Sequence, residues 1–532
     1  PPRHRRGRRQ LRRCRGGHAR SRQRRQDDGG KQRCRSSEAG HTWANTVENR
    51  SAGRTNEAFG LAARGFGTVT RGMTTPIPDK RSGPVALLRK RFEPQLQNLQ
   101  GSDTAKAAGL AGAMIANNVI ALGSTVVFAR ELTDYGSLGA LISYLLILTV
   151  AGQAMQVATA REGVLGHLGV GPALVATMKS WTRAMLVVTA VLTVVSVLLR
   201  NPIASAVGVH KFPWGAALGI PTGCMYLQVS LLRGALQGVG DYKSVGLSLI
   251  GEQAARLVAG AAFAVAFSVT GAYLGSVISY IAMSIYCWIQ LRKYAAAYEA
   301  SGTARVSSAP QLSLWSHVKR AWAPIAGLAV IAVLQNIDII AAKHRFTTPM
   351  ATSYAAVAVA AKVLIWVAIG AGFYLVPEVS RRRSEGEDTR PVLFRALAII
   401  GVCAIPCLLI FAFGAHPLIS AVFGHKKATA YKSLLPLGAA FTVLSATYLA
   451  IQYMLALKRT WFLLAIGCVA VAEPILLLHA SKQPASFAVV VLGIQAVGAL
   501  LAFSLALRRD SAPPRTAATP EPDTSVAGLA SR

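Results

Sequence analysis

Five ionisable side chains stand in stretches that are otherwise almost wholly apolar: Glu252 and Arg256, four residues apart, then Asp338, Lys362, and Glu473 with Pro474 directly after it. A charge in such surroundings costs about 2.5–3.5 kcal/mol on insertion scales, so it marks a site or a neutralising pair. Arginine offers a planar fork that grips phosphate oxygens two at a time, and lysine offers a point charge. Buried carboxylates orient such cations or carry a proton. Glu252 and Arg256 share one helix face, which fits either a packing pair or an arginine at a cavity wall oriented by its carboxylate. Asp338 and Lys362 can pair across adjacent helices. Pro474 removes a backbone hydrogen bond, so Glu473 sits at a hinge or at a proton site.

The elements that must position these groups are twelve apolar stretches, expected near 106–128, 139–160, 181–199, 213–232, 245–267, 270–291, 321–342, 351–376, 392–413, 433–457, 461–479 and 485–507. Each is about twenty residues, the length that crosses a hydrocarbon core of roughly 30 Å, and each is apolar all round. The fold class is therefore an all-α polytopic membrane protein of about twelve transmembrane helices. Cations crowd one set of connectors, among them Arg161, Lys179, Arg183, Arg233, Lys243, Lys319, Arg320 and Arg381–Arg383. This excess places both termini in the cytoplasm of a multi-pass protein of the cytoplasmic membrane. Trp181, Trp214, Trp288, Trp322 and Trp461 fall near span ends, where aromatic belts lie. Gln153, Gln156, Gln253, Gln335 and Gln495 are expected to bond between helices.

The chain has 532 residues, 52% hydrophobic and 15% charged, with a mean hydropathy of +0.39. That excludes an ordinary soluble domain. Its net charge of +34 is spread over an arginine-rich N-terminal stretch and the connectors, so nucleic acid is not the expected partner. Residues 1–72 are expected to be a disordered basic arm, with two origins left open: translation from upstream of Met73, or an arm for anionic lipid. Residues 73–104 read as a cytoplasmic juxtamembrane segment. Within it Val85, Leu88 and Phe92 suggest a short interfacial helix, with a basic linker as the alternative. The seven cysteines show no metal-ligand spacing, and the five in spans are expected to pack as small apolar residues. No cofactor is implied, and no GxxxxGK[ST] phosphate loop is present. The tail, 508–532, is polar and expected to be disordered.

Span one and its exit, from Ala111 to Tyr144, resemble span seven and its exit, from Ala326 to Tyr354. Both carry central asparagines, Asn117/Asn118 and Asn336. Two six-helix lobes follow, 105–291 and 321–507, joined by the loop 292–320 and arranged as parallel repeats around a central cavity.

Three motifs complete the picture: Ala129-Arg-Glu-Leu-Thr-Asp-Tyr-Gly136, Leu232-Arg-Gly-Ala-Leu-Gln-Gly-Val-Gly-Asp-Tyr242, and Asn336-Ile-Asp338 followed by Tyr354-Ala-Ala. In order and spacing they resemble the multidrug/oligosaccharidyl-lipid/polysaccharide (MOP) exporter superfamily, on its polysaccharide-flippase branch, over roughly residues 100–508. The resemblance implies alternating access around a cationic cavity, and a polyprenyl-pyrophosphate-linked oligosaccharide as substrate, for cell-surface polysaccharide synthesis. Membrane lipids and glycan-assembly enzymes are the implied partners. Candidate substrate contacts are Arg130, Arg161, Arg233, Arg256, Arg345 and Lys362. Of these, Arg130, Arg161 and Arg233 sit at span ends, where each could serve as an orientation signal alone. Candidate coupling or pairing carboxylates are Glu252, Asp338 and Glu473. The competing readings are a cation-coupled multidrug exporter of the same superfamily and a membrane-embedded glycan polymerase or ligase. The short external connectors disfavour the last.

Overall fold

A computed structural model describes residues 103–302 and 312–508. The expected arm at 1–72, the interfacial helix at 84–98 and the tail beyond residue 508 lie outside the described residues.

Sixteen helices run in order: α1 Asp103–Glu131, α2 Tyr135–Val164, α3 Pro172–Leu198, α4 Arg200–Val207, α5 Pro213–Ala217, α6 Gly219–Gly238, α7 Tyr242–Ala300, α8 Leu314–Arg320, α9 Trp322–Arg345, α10 Thr348–Ala361, α11 Val363–Ser384, α12 Arg390–Phe413, α13 Ala415–Phe423, α14 Leu434–Ala456, α15 Phe462–His479 and α16 Pro484–Ala506. Helices are what a bilayer permits, because hydrocarbon offers no partner for an open backbone N–H or C=O. Local chemistry starts and stops them. Asp134 and Asp241 cap α2 and α7 by accepting from the backbone N–H of Ser137 and Ser244. Prolines open α3, α5, α10, α12 and α16, where their missing N–H costs nothing.

Among the described residues, eleven stretches are long and apolar enough to cross a membrane. One of them, α7, spans 59 residues and holds two crossings. Its interior residue Ser268 has φ 50° and ψ −128°, and residues about equally far on either side of Ser268 touch: Arg256 bonds Tyr280, and Gly260 lies against Gly275. The limbs 242–267 and 269–300 are thus an antiparallel hairpin, and the crossings number twelve. The break between α10 and α11 at Lys362 lies inside a single crossing, Thr348–Ser384.

The expected spans stop well short of two helix ends, since α7 runs past 291 to Ala300, into the expected inter-lobe loop, and α11 runs past 376 to Ser384; the others lie close to these helices, except at α3. That helix begins at Pro172 rather than near 181, because Lys179 and Ser180 lower the hydropathy of a helical turn at the membrane border. Large apolar side chains such as Val265, Phe413 and Leu198 are 91%, 87% and 74% exposed, as residues facing lipid tails must be.

Helices α1–α7 form one six-span half and α9–α16 the other. In the first, α2 and α6 approach closely enough that a Cβ on Gly234 would sit 2.5 Å from the Gln156 carbonyl, and Gly163 and Gly238 meet backbone to backbone. Connectors between odd and following even spans, including Ser268, gather at what is here termed the distal end; those between even and odd spans define the proximal end.

Candidate functional site

Two charged clusters lie inside the two halves. In the first half, α6 carries Arg233 and α7 carries Ser248, Glu252 and Arg256 on successive turns of one face. Arg233 is fully buried. Its Nη1 donates to Glu252 Oε2 at 2.9 Å, its Nε to Ser248 Oγ at 2.8 Å, and its Nη2 to the Ser248 carbonyl at 2.9 Å. Glu252 Oε1 accepts from Arg256 Nη2 at 3.1 Å. One carboxylate thus holds two guanidinium groups, and the cluster carries one surplus positive charge. Arg256 keeps 19% of its side chain exposed, whereas Arg233 keeps none.

The hairpin at Ser268 completes this cluster. It brings Tyr280 beside Arg256, so that Arg256 Nη2 donates to the phenol oxygen at 2.7 Å and the guanidinium lies 5.4 Å from the ring centroid. Tyr226 of α6 meets Tyr280 edge-on at 5.1 Å. At 1.5 Å per residue, Arg256 lies about 18 Å along the helix from the Ser268 reversal, near mid-membrane.

In the second half, Asp338 of α9 is fully buried and Lys362 nearly so. Lys362 Nζ is 3.3 Å from Asp338 Oδ1 and 3.5 Å from Asn336 Oδ1, and it lies 5.3 Å from the Phe441 ring centroid. The Tyr354 hydroxyl donates to Asp338 Oδ2 at 3.4 Å. Glu473 of α15 is also fully buried. Its Oε1 accepts from Gln495 Nε2 at 3.0 Å, while its Oε2 has no partner. Gln495 donates in addition to the Leu334 carbonyl. Two carboxyl groups and one ammonium are therefore buried in this half. Among the described residues no group of His, Cys, Asp or Glu could hold a metal ion.

No family model matches the chain, and no curated protein matches it in sequence. Solved structures do match. The lipid II flippase MurJ, in an inward closed conformation, superposes with a TM-score of 0.59 at 14% identity, over 74% of this chain and 87% of its own. An inward-facing multidrug resistance MATE family transporter of the MOP superfamily gives 0.57 at 11% identity, over 73% and 93%. A MATE protein in a bent conformation gives 0.51 at 12%, over 77% and 96%. The fold is that of the MOP superfamily.

In this MOP fold the two halves are joined at the distal end. Asp134, between α1 and α2, receives Lys343 Nζ of α9 at 2.8 Å. Burial alone would raise the Asp134 carboxyl, but hydrogen bonds from Lys343 and Ser137, with the Lys343 charge, hold it below its ordinary 3.8. The Gly136 N–H donates to Thr352 Oγ1 at 3.0 Å, and Lys427 Nζ to the Leu132 carbonyl at 3.0 Å. Burial lowers the Lys427 ammonium, against the attraction of Glu131.

Of the candidate cations, Arg233 and Arg256 come together and Lys362 joins Asp338. The others stand elsewhere. Arg130 donates to the carbonyls of Ala421 and Val422 at the distal end, and Arg345 donates to the Ala480 carbonyl. Arg161 is exposed at the proximal end of α2, outside any ion pair among the described residues. Sequence reasoning missed Tyr280, Tyr226 and Ser248 as partners of the arginines. The expected spans already turn back between 267 and 270, but which side chains of the two limbs meet, Arg256 with Tyr280 among them, depends on how the limbs pack.

Proposed function

We propose that the protein is a flippase that moves a polyprenyl-pyrophosphate-linked oligosaccharide across the cytoplasmic membrane by alternating access, with both termini cytoplasmic. The observation that carries this reading is the surplus positive charge of Arg233–Glu252–Arg256 near mid-membrane, with Arg256 alone of the three part-exposed. Pyrophosphate carries about two negative charges and several acceptor oxygens, and a guanidinium held in place by a carboxylate and a phenol suits it. Arg233 is then a positioning residue: donating to Glu252 and to Ser248, it fixes the carboxylate that aims Arg256. On this reading the distal end faces outward, and the Asp134–Lys343 contact closes it while the proximal side receives substrate.

The membrane potential supplies direction. A unit charge crossing 100 mV is worth about 2.3 kcal/mol, so a doubly charged headgroup gains roughly 4–5 kcal/mol moving outward. Lobes 105–291 and 321–507 rock as two bodies, and the enzymes that assemble the glycan supply the substrate on the inner face.

Depleting the protein and measuring lipid-linked oligosaccharides by mass spectrometry tests this directly. Finished, polyprenyl-linked glycan is expected to accumulate and to identify the glycan. Unchanged pools together with heightened sensitivity to cationic dyes would instead support the second reading, a cation-coupled drug exporter. That reading draws on Asp338 and Glu473, two buried carboxyl groups of which Asp338 alone is paired with a cation, Lys362.

A further inference from the structure

The segment that joins the two halves docks on the first half through a histidine. His317 of α8 is 1% exposed, its ring stacks on Trp181 with centroids 5.0 Å apart, and its Nε2 lies 3.0 Å from Thr159 Oγ1. Trp181 Nε1 donates to the Leu312 carbonyl at 2.9 Å, and Ser313 caps α8 by accepting from the Ser316 N–H. Burial pushes the His317 ring below its ordinary 6.5, against the pull of Glu162 and with the push of Arg320, so the dock is built for a neutral imidazole.

This dock frames a cleft of about 340 Å³ between α3 and the start of α8. Ser180, Trp181 and Ala184 form one wall, and Ser313, Leu314 and Trp315 the other. The walls mix hydroxyls with apolar faces, and Trp315 is 66% exposed. No cation lines the cleft itself, but several stand on the elements that form it. Lys179 and Arg183 precede Ser180 and Ala184 by one position each on α3, and Lys319 Nζ lies 5.2 Å from the Trp315 ring centroid. None of Lys179, Arg183, Lys319 and Arg320 is in an ion pair among the described residues, and Glu162 is engaged by His167 at 2.6 Å. The cleft lies toward the proximal end of α3, with Trp181 in its wall, and α8 leads on to Trp322 at the start of α9, at the depth of an aromatic belt.

We propose that this cleft binds the headgroup and upper chain of an anionic phospholipid. Apolar walls beside hydroxyls and unpaired cations, at the membrane surface, fit a molecule that is anionic at one end and apolar at the other. A bound lipid would pin the inter-lobe segment against α2 and α3. The site is separate from the arginine cluster, and it requires only that the fold sits in a membrane.

The test uses the full chain in detergent, with phosphatidylglycerol, phosphatidylcholine or inorganic phosphate added. Thermal unfolding and native mass spectrometry are the readouts. Phosphatidylglycerol is expected to raise Tm more than phosphatidylcholine does, with lipid retained in the mass spectrum, and phosphate is expected to do nothing. The triple variant Lys179→Gln/Arg183→Gln/Lys319→Gln should lose at least half of that specific rise. Lys426→Gln/Lys432→Gln, which removes charge at the distal end, should keep it. Equal rises with the two lipids, an equal rise with phosphate, or equal losses in both variants would overturn the proposal. Because no step measures glycan translocation, the outcome is independent of the flippase reading.

Discussion

At the scale of single residues, the two arginines of the first half differ in what surrounds them. Arg233 is wholly enclosed and depends on Glu252 for its counter-charge, so Glu252→Gln should destabilise the protein by about 3–5 kcal/mol, the cost of stranding a buried charge. Arg256→Gln removes a partly exposed cation and leaves the Arg233–Glu252 pair intact. Its Tm in detergent should fall far less, while, if the protein has the proposed flippase activity, glycan translocation in proteoliposomes should fall sharply. A Tm loss in Arg256→Gln as large as in Glu252→Gln would refute this division of roles. Asp134 makes a further case. Because its carboxyl is held below its ordinary value, its contribution to distal closure is complete above 3.8 and lost only as pH falls through the lowered value. Closure followed by spin-label distances across α2 and α10 should therefore stay flat from about pH 8 to about pH 5. Asp134→Asn should loosen it throughout that range.

Helices set the next scale, and here the hairpin within α7 decides the site. Its limbs pack so closely that a Cβ on Gly275 would lie 2.5 Å from the Gly260 nitrogen and 2.6 Å from the Arg256 carbonyl oxygen. Backbone cannot step aside as a side chain can, so Gly275→Ala should splay the limbs and cost about 1–3 kcal/mol. It should also part Arg256 from Tyr280. Gly370, with open space at its Cβ, serves as the control: Gly370→Ala should unfold at nearly the wild-type temperature. The number and approximate place of the crossings were legible beforehand because apolar length is a local signal; the polar extensions of α7 to Ala300 and α11 to Ser384 were not. The early start of α3 was not, since Lys179 and Ser180 read as loop while their backbone continues the helix.

For the molecule as a whole, the contacts between α2 and α10 allow a direct test of the proposed alternating access. A Cβ on Gly139 would lie 3.1 Å from the Ala355 Cβ, a few tenths of an ångström short of the roughly 3.5–4.5 Å of a disulfide. Gly139→Cys/Ala355→Cys should therefore cross-link under oxidation, hold the distal end shut and stop transport. Reduction should restore it. Full transport by the cross-linked protein would show that this end need not open. The two halves also divide their chemistry. Each buries a glutamate in its fifth crossing, Glu252 and Glu473, but Glu252 is saturated by two arginines whereas Glu473 keeps an oxygen without a partner.

What the chain determined by itself was its class, its crossings and its list of buried charges. Apolar runs of membrane length and ions within them are properties of composition along a line, and a bilayer reads them locally. Which charges meet was decided only in three dimensions. Glu252 and Arg256 were neighbours by helical spacing, but Arg233, placed at a span end by hydropathy, is carried into the bundle by the close packing of α6 on α2 and α7. Arg130 and Arg345 were also candidates, and they instead meet carbonyls at the distal end, of Ala421 and Val422 and of Ala480. Long side chains reach well beyond one helical turn, so their partners depend on helix crossings and reversals such as Ser268. Those are set by contacts among residues far apart in sequence.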